Sequence, residues 1–172
     1  MSDGPGPGPD SLSPALGPAE ILELELTVPR AEVLRYLGYP RRRAPRGELA
    51  ARFESLWPLG VARLAARGAV RLVAAAELKS AAVPKLGAVL GIALGTAGPA
   101  LEAESAARLA ADDPFAGLFF DAFGSAAAEA AAMALEVALR QRAAAVGLAA
   151  LGRRFSPGYG RWSVSHQGAL LA

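Results

Sequence analysis

Six residues near the end of the chain, Arg154-Phe155-Ser156-Pro157-Gly158-Tyr159, combine side-chain types suited to holding a small polar ligand. Arg154 offers a planar fork of donors that fits a carboxylate or a phosphate. Pro157 fixes its own φ and pushes Ser156 towards extended backbone. The Pro-Gly pair predicts a type II turn, with Gly158 in the positive-φ position. Such a turn is expected to leave backbone groups around Ser156 and Gly158 facing a ligand. Tyr159 adds a flat ring with a polar tip, able to stack on another ring or cover a cation. A surface turn with one buried aromatic is the alternative.

Other chemistries find little support. The chain of 172 residues has no Cys, which excludes a disulfide framework, a thiolate nucleophile and a Cys-ligated metal. Its one His, His166, gives no His-based metal site and no triad with an obvious partner, and reads as a surface or capping residue. The Gly-rich stretch from Gly91 to Gly98 lacks the Gly-Lys-Ser/Thr of a phosphate-binding P-loop and reads as close packing at a strand end. Arg41, Arg42, Arg43 and Arg46, near Tyr36 and Tyr39, make a basic loop. The net charge is only +2, so no nucleic-acid partner is expected. A loop of that kind reads as a solvated surface, and it also suits docking of an acidic protein.

No membrane segment is expected. The N-terminal residues have neither the basic nor the apolar region of a signal peptide. The longest uncharged run, 86–101, is shorter than the ~20 residues of a spanning helix, and glycines interrupt it. A buried strand followed by a turn fits it better. The absence of Cys suits a reducing compartment, so the expected location is cytoplasmic.

The elements that must position the Arg154 block follow from periodicity. Residues 1–19, rich in Gly, Pro and Ser, are expected to be a disordered tail. One domain over 20–172 follows, with order expected from Ile21. Leu22, Leu24, Leu26 and Val28 alternate with Glu23, Glu25 and Thr27, a strand with one wet face. Pro29 ends it and opens a helix over 30–37, closed by Gly38. A helix is expected over 48–67, kinked or split at Pro58, then strands over 69–75 and 86–94. A short helix over 101–111 precedes a long one from Pro114 to about 146, capped by Asp112 or Asp113. Gly124 allows a close contact or a bend there, and Ser163 or Ser165 can cap a last helix. Hydrophobic residues make up 53% of the chain, and many are alanine. The sum is an α+β fold: a twisted antiparallel sheet and several helices, including one long Ala-rich central helix.

The Arg154-to-Tyr159 block, followed by Gly160, Trp162 and Gln167, resembles the S-adenosylmethionine-binding signature of the activation domain of vitamin B12-dependent methionine synthase. It is closer still to the small free-standing proteins similar to that domain. Three weaker segments agree in order: Glu32-Val-Leu-Arg-Tyr-Leu-Gly-Tyr39, Leu94-Gly-Thr-Ala-Gly98, and Asp112-Asp113 with the helix from Asp121 to Glu129. The resemblance covers about 24–171.

The resemblance implies S-adenosylmethionine as ligand, with Arg154 on its carboxylate, the backbone at Ser156 and Gly158 along the adenine or ribose, and Tyr159 on a ring or the sulfonium. It places Glu129 opposite the amine; a solvated helix-face carboxylate is the other reading of that residue. Glu136, two turns further along, is a weaker second candidate. The implied role is reductive reactivation of a cobalamin-dependent methyltransferase. Cobalamin is held by the partner protein, one electron comes from a flavodoxin-like donor, and methyl transfer occurs only with that corrinoid protein present. Departures from the family are a short 141–152 connection, no Asp standing out near the first strand, and an early end at Ala172. They raise the alternative of a non-catalytic interaction subunit that keeps the fold and has lost the ligand.

Overall fold

A computed structural model describes residues 16–40, 43–78, 87–148, 151–160 and 162–168. Residues 1–15 of the expected tail, Arg41 and Arg42 of the basic loop, and Leu86 lie outside the described residues. The elements run β1 (Glu20–Glu23), α1 (Arg30–Tyr36), α2 (Glu48–Ala62), β2 (Arg67–Ala74), β3 (Val89–Thr96), α3 (Ala100–Ala110) and α4 (Pro114–Ala145), with a 3-10 turn at Val164–Gln167. The fold is α+β, and the sheet order is β1-β2-β3. Around β2 and β3 the Ala65 N–H donates to Ala97 and the Ala75 N–H to Ala88, so one strand's numbering rises as the other's falls. The pair is antiparallel.

The chain divides into two compact units, each assembled from separated stretches. The first comprises Leu22–Gly68 and Leu94–Ala134. Its core is aromatic. Phe119, Phe120 and Phe123 of α4 are each 0% exposed, and Phe53 of α2 is also buried. The Phe53 and Phe119 rings meet edge to face at 5.4 Å, and Trp57 meets Phe123 at 5.1 Å. That geometry sets ring edges against ring faces and adds to the area term. Gly60 lets α2 approach: a Cβ there would stand 2.9 Å from the Phe123 ring. Asp113 caps α4, its Oδ1 accepting from the Ala116 N–H at 3.2 Å, with Pro114 at the first helical position. Ser105 of α3 donates its hydroxyl to the Gly117 carbonyl at 2.9 Å.

The second unit comprises Met1–Ile21, Ala69–Ala93 and Leu135–Ala172. Val70 and the run Leu72, Val73 and Ala74 of β2 are buried, and Leu135, Leu139 and Ala143 of α4 form a buried stripe at a spacing of four. Leu16 is only 2% exposed. Arg142 explains why. It donates to the Pro18 carbonyl at 2.6 Å and to Glu20 at 2.8 Å. Order therefore begins by Leu16, ahead of the expected Ile21.

Several expected boundaries change for identifiable reasons. The alternation from Leu22 to Val28 is present, with Leu22, Leu24 and Leu26 half-buried and Val28 buried. The strand itself stops at Glu23. The Leu24 N–H takes the Ala66 carbonyl, and β2 begins one residue beyond Ala66, so residues 25–28 keep the pattern without the ladder. Helix α2 is continuous through Pro58 and ends at Ala62 instead of 67. Residues 65 and 66 leave it because their backbone groups bond Ala97 and Leu24. The 86–94 strand is shifted to Val89–Thr96 and is mostly exposed or half-exposed, not buried. Gly38 closes α1 as expected: its N–H donates to Arg35 and that of Tyr39 to Leu34.

Helix α4, with 32 residues and a mean hydropathy of 1.4 over its most apolar window, is by length and composition able to cross a membrane. Its three buried phenylalanines pack into protein, which is also how the core helix of a soluble protein behaves. The structure is compatible with a soluble protein.

Candidate functional site

The Arg154 block hangs from the end of α4. That helix stops in two hydrogen bonds, Gly147 N–H to Ala144 and Leu148 N–H to Ala143, with Gly147 at a φ of 79°. This is a Schellman closure, which frees the chain to leave the helix axis. Two residues of the connection then fall back on the helix. Arg140 Nη1 donates to the Leu151 carbonyl at 2.9 Å, and Nη2 to the Gly152 carbonyl at 3.3 Å. The same guanidinium holds Glu136 Oε1 through Nη2 at 2.7 Å and Nε at 3.2 Å. Gly91 of β3 leaves room for Leu151: a Cβ at Gly91 would stand 3.4 Å from its Cδ1 and 3.2 Å from that of Leu139. The Gly-rich stretch is thus a place of close packing at Gly91.

Beyond this anchor comes the expected turn. Tyr159 N–H donates to the Ser156 carbonyl at 3.1 Å, and Gly158 has a φ of 96°. With Pro157 second and Gly158 third, this is a type II turn. A second turn follows, Trp162 N–H to Tyr159 at 3.1 Å. The Gly158 N–H then donates to the Trp162 carbonyl at 2.7 Å, closing both turns into one compact loop. Two of the backbone groups expected to face a ligand are therefore taken. The Gly158 N–H and the Ser156 carbonyl are engaged in the loop's own closure, because the Trp162 carbonyl folds back within reach.

What faces outwards is side chain. Arg154 and Phe155 are exposed and Tyr159 is 71% exposed, while Ser156 is half-buried. The positive charge of Arg154 also acts on Glu136. The Glu136 carboxyl is held below the ordinary carboxylate range, first by its hydrogen bond from Arg140, then by the charges of Arg140 and Arg154, against partial desolvation. The loop region also holds two polar atoms in unusual settings. The indole Nε1 of Trp162 and Nδ1 of His166 are buried and have no hydrogen-bonding partner among the described residues. An unpaired buried group of this kind costs about 1–3 kcal/mol. His166 sits in the 3-10 turn that Ser163 caps through the Ser165 N–H at 3.3 Å.

One loop therefore brings together Arg154, Ser156, Gly158 and Tyr159, and it sets Arg154 in the field of Glu136. Glu129 is half-buried on α4 and belongs to the other compact unit. The residue not singled out from sequence is Arg140. Its pairing with Glu136 was readable as an i,i+4 helix pair, but its reach to residues 151 and 152 was not. Among the described residues no three His, Asp or Glu side chains gather as a metal site. No protein-family model matches the chain, and neither does any curated protein sequence.

Proposed function

We propose that the chain binds S-adenosylmethionine on the 154–159 loop and assists reductive remethylation of a separate corrinoid-dependent methyltransferase in the cytoplasm. One observation carries the reading: the Arg-x-Ser-Pro-Gly-Tyr block forms a closed type II turn with Arg154 and Tyr159 both turned to solvent. Arg154 suits the ligand's carboxylate and Tyr159 its ring or sulfonium. Glu136, held ionised on α4, is a carboxylate that suits its amine, and the resemblance names Glu129 for the same role. With the Gly158 N–H engaged inside the loop, recognition falls chiefly to side chains. When bound, the ligand supplies a methyl group on a sulfonium, and the partner's reduced corrinoid receives it. This chain's residues bind and orient the ligand and need supply no acid or base. A flavodoxin-like protein is the proposed electron donor.

A second reading has its own observation. Arg154 already acts on an acid of its own chain, Glu136. In that reading the chain is a non-catalytic subunit of the same methyltransferase system, keeping the loop as structure.

Calorimetric titration of S-adenosylmethionine into the wild type and Arg154→Ala decides between them. The first reading expects binding that the substitution weakens about tenfold or more, about 1.4 kcal/mol. No binding to the wild type at millimolar ligand, with a corrinoid protein also present, overturns it in favour of the second.

A further inference from the structure

We infer that Arg140 is the positioning residue of the ligand loop: by bridging the Glu136 carboxylate and the carbonyls of Leu151 and Gly152, it fixes where Arg154 stands. The inference rests on the ligand reading above. Four hydrogen bonds converge on this one guanidinium, two to Glu136 and one to each carbonyl, at 2.7 to 3.3 Å. Their geometry demands arginine. The donors lie in one plane and point in different directions, so a lysine ammonium keeps the charge without spanning helix and loop together. The bridge is also short in sequence. Gly152 lies two residues before Arg154, so a displacement at the carbonyl passes directly to the guanidinium that meets the ligand.

An independent contact confines the same point. The Leu151 side chain sits against the Gly91 backbone of β3, where a side chain would crowd it. Apolar seating fixes the position of residue 151, and Arg140 fixes the direction in which its carbonyl points. From there the chain is exposed until the turn at Ser156. The loop's interior is closed on itself, and among the described residues these two contacts tie residues 151 and 152 to the fold. The exposure of Arg140 is consistent with the role. Its charge-assisted bonds are worth little to global stability, and their use is to orient.

The test is Arg140→Lys, with Arg140→Gln as a second variant that removes the charge as well as the fork. Amide exchange in the ligand-free protein is expected to quicken over residues 153–160 in both variants, by about fivefold or more, with α4 and β2 unchanged. S-adenosylmethionine affinity is expected to fall about tenfold. Binding of methylthioadenosine, which lacks the amino-acid portion met by Arg154, should stay within about twofold. That split separates positioning of Arg154 from a general loosening, which would weaken both ligands alike. Unchanged exchange in the loop, or equal losses for the two ligands, overturns the inference. A wild type that binds neither ligand overturns the ligand reading, and loop exchange alone then decides whether Arg140 sets the loop.

Discussion

Gly158→Ala isolates the backbone contribution of the turn. Gly158 has a φ of 96°, and an L-residue with a side chain pays about 1–2 kcal/mol for left-handed backbone. Sterics add nothing: the new Cβ would stand 3.5 Å from Val164 Cγ2, an ordinary contact. The lost freedom of the unfolded chain offsets about 0.4–1 kcal/mol. About 1 kcal/mol remains, roughly a fivefold change in an equilibrium. Because the Gly158 N–H donates to Trp162 within the loop, the loop's own opening reads it out. In the ligand-free protein the amide at position 158 should exchange about fivefold faster, after correction for residue type. S-adenosylmethionine affinity should drop by a similar factor if the closed turn is the binding conformation. Gly158→Asn should do less harm, because asparagine tolerates the left-handed region. Unchanged exchange in the alanine variant, or asparagine as damaging as alanine, would refute the backbone argument.

Gly60→Ala tests the opposite case, where φ is ordinary and space is absent. Helix propensity favours alanine by about 1 kcal/mol, but overpacking of a filled core costs about 1–3 kcal/mol. The Phe123 ring has little room to yield, held edge to face by Trp57. The melting temperature should fall by about 2–4 °C for each kcal/mol, and a rise would show that the ring moves aside without cost. The acid limb of stability is a further test. The Glu104 carboxyl is lowered first by its bond from Arg108 and then by Arg63, and that of Asp113 first by the Ala116 N–H and then by Arg52. Carboxyls with a folded pKa below the unfolded one stabilise the protein above the ordinary range and lose that contribution as the pH falls through the folded value. Thermal melts should therefore be level above about pH 5 and fall below about pH 4. Glu104→Gln should give a shallower fall, and an unaltered limb in that variant would remove Glu104 from the account.

The sequence reading succeeded where the cause lies within a few residues. Pro157 and Gly158 carry their turn type in their own backbone preferences. Gly38 and Asp113 close and open their helices through groups at most four positions away. It was less accurate where a distant partner decides. β1 ends at Glu23 because its neighbour begins at Arg67, although the alternation in its own residues continues to Val28. Leu16 is ordered because Arg142, far along the chain, takes the Pro18 carbonyl.

The site shows the same division. The residue types of the Arg154 block were legible, and so was the turn. The availability of its backbone was not, since the use of the Gly158 N–H depends on where the Trp162 carbonyl returns. The resemblance favoured Glu129 over Glu136, two acids on one Ala-rich helix at a spacing that keeps them on one face. Glu136 feels the charge of Arg154, and Arg140 holds that same carboxylate. An arginine that recognises a ligand carboxylate exchanges its resting surroundings for the ligand. Its affinity is therefore a difference between two environments. Whatever strengthens Arg154 in the field of Glu136 weakens its demand for a ligand, while the Arg140 bridge keeps it in place to meet one. Under the proposed ligand reading, a single helix carboxylate thus contributes to both orientation and affinity, and the two contributions have opposite sign.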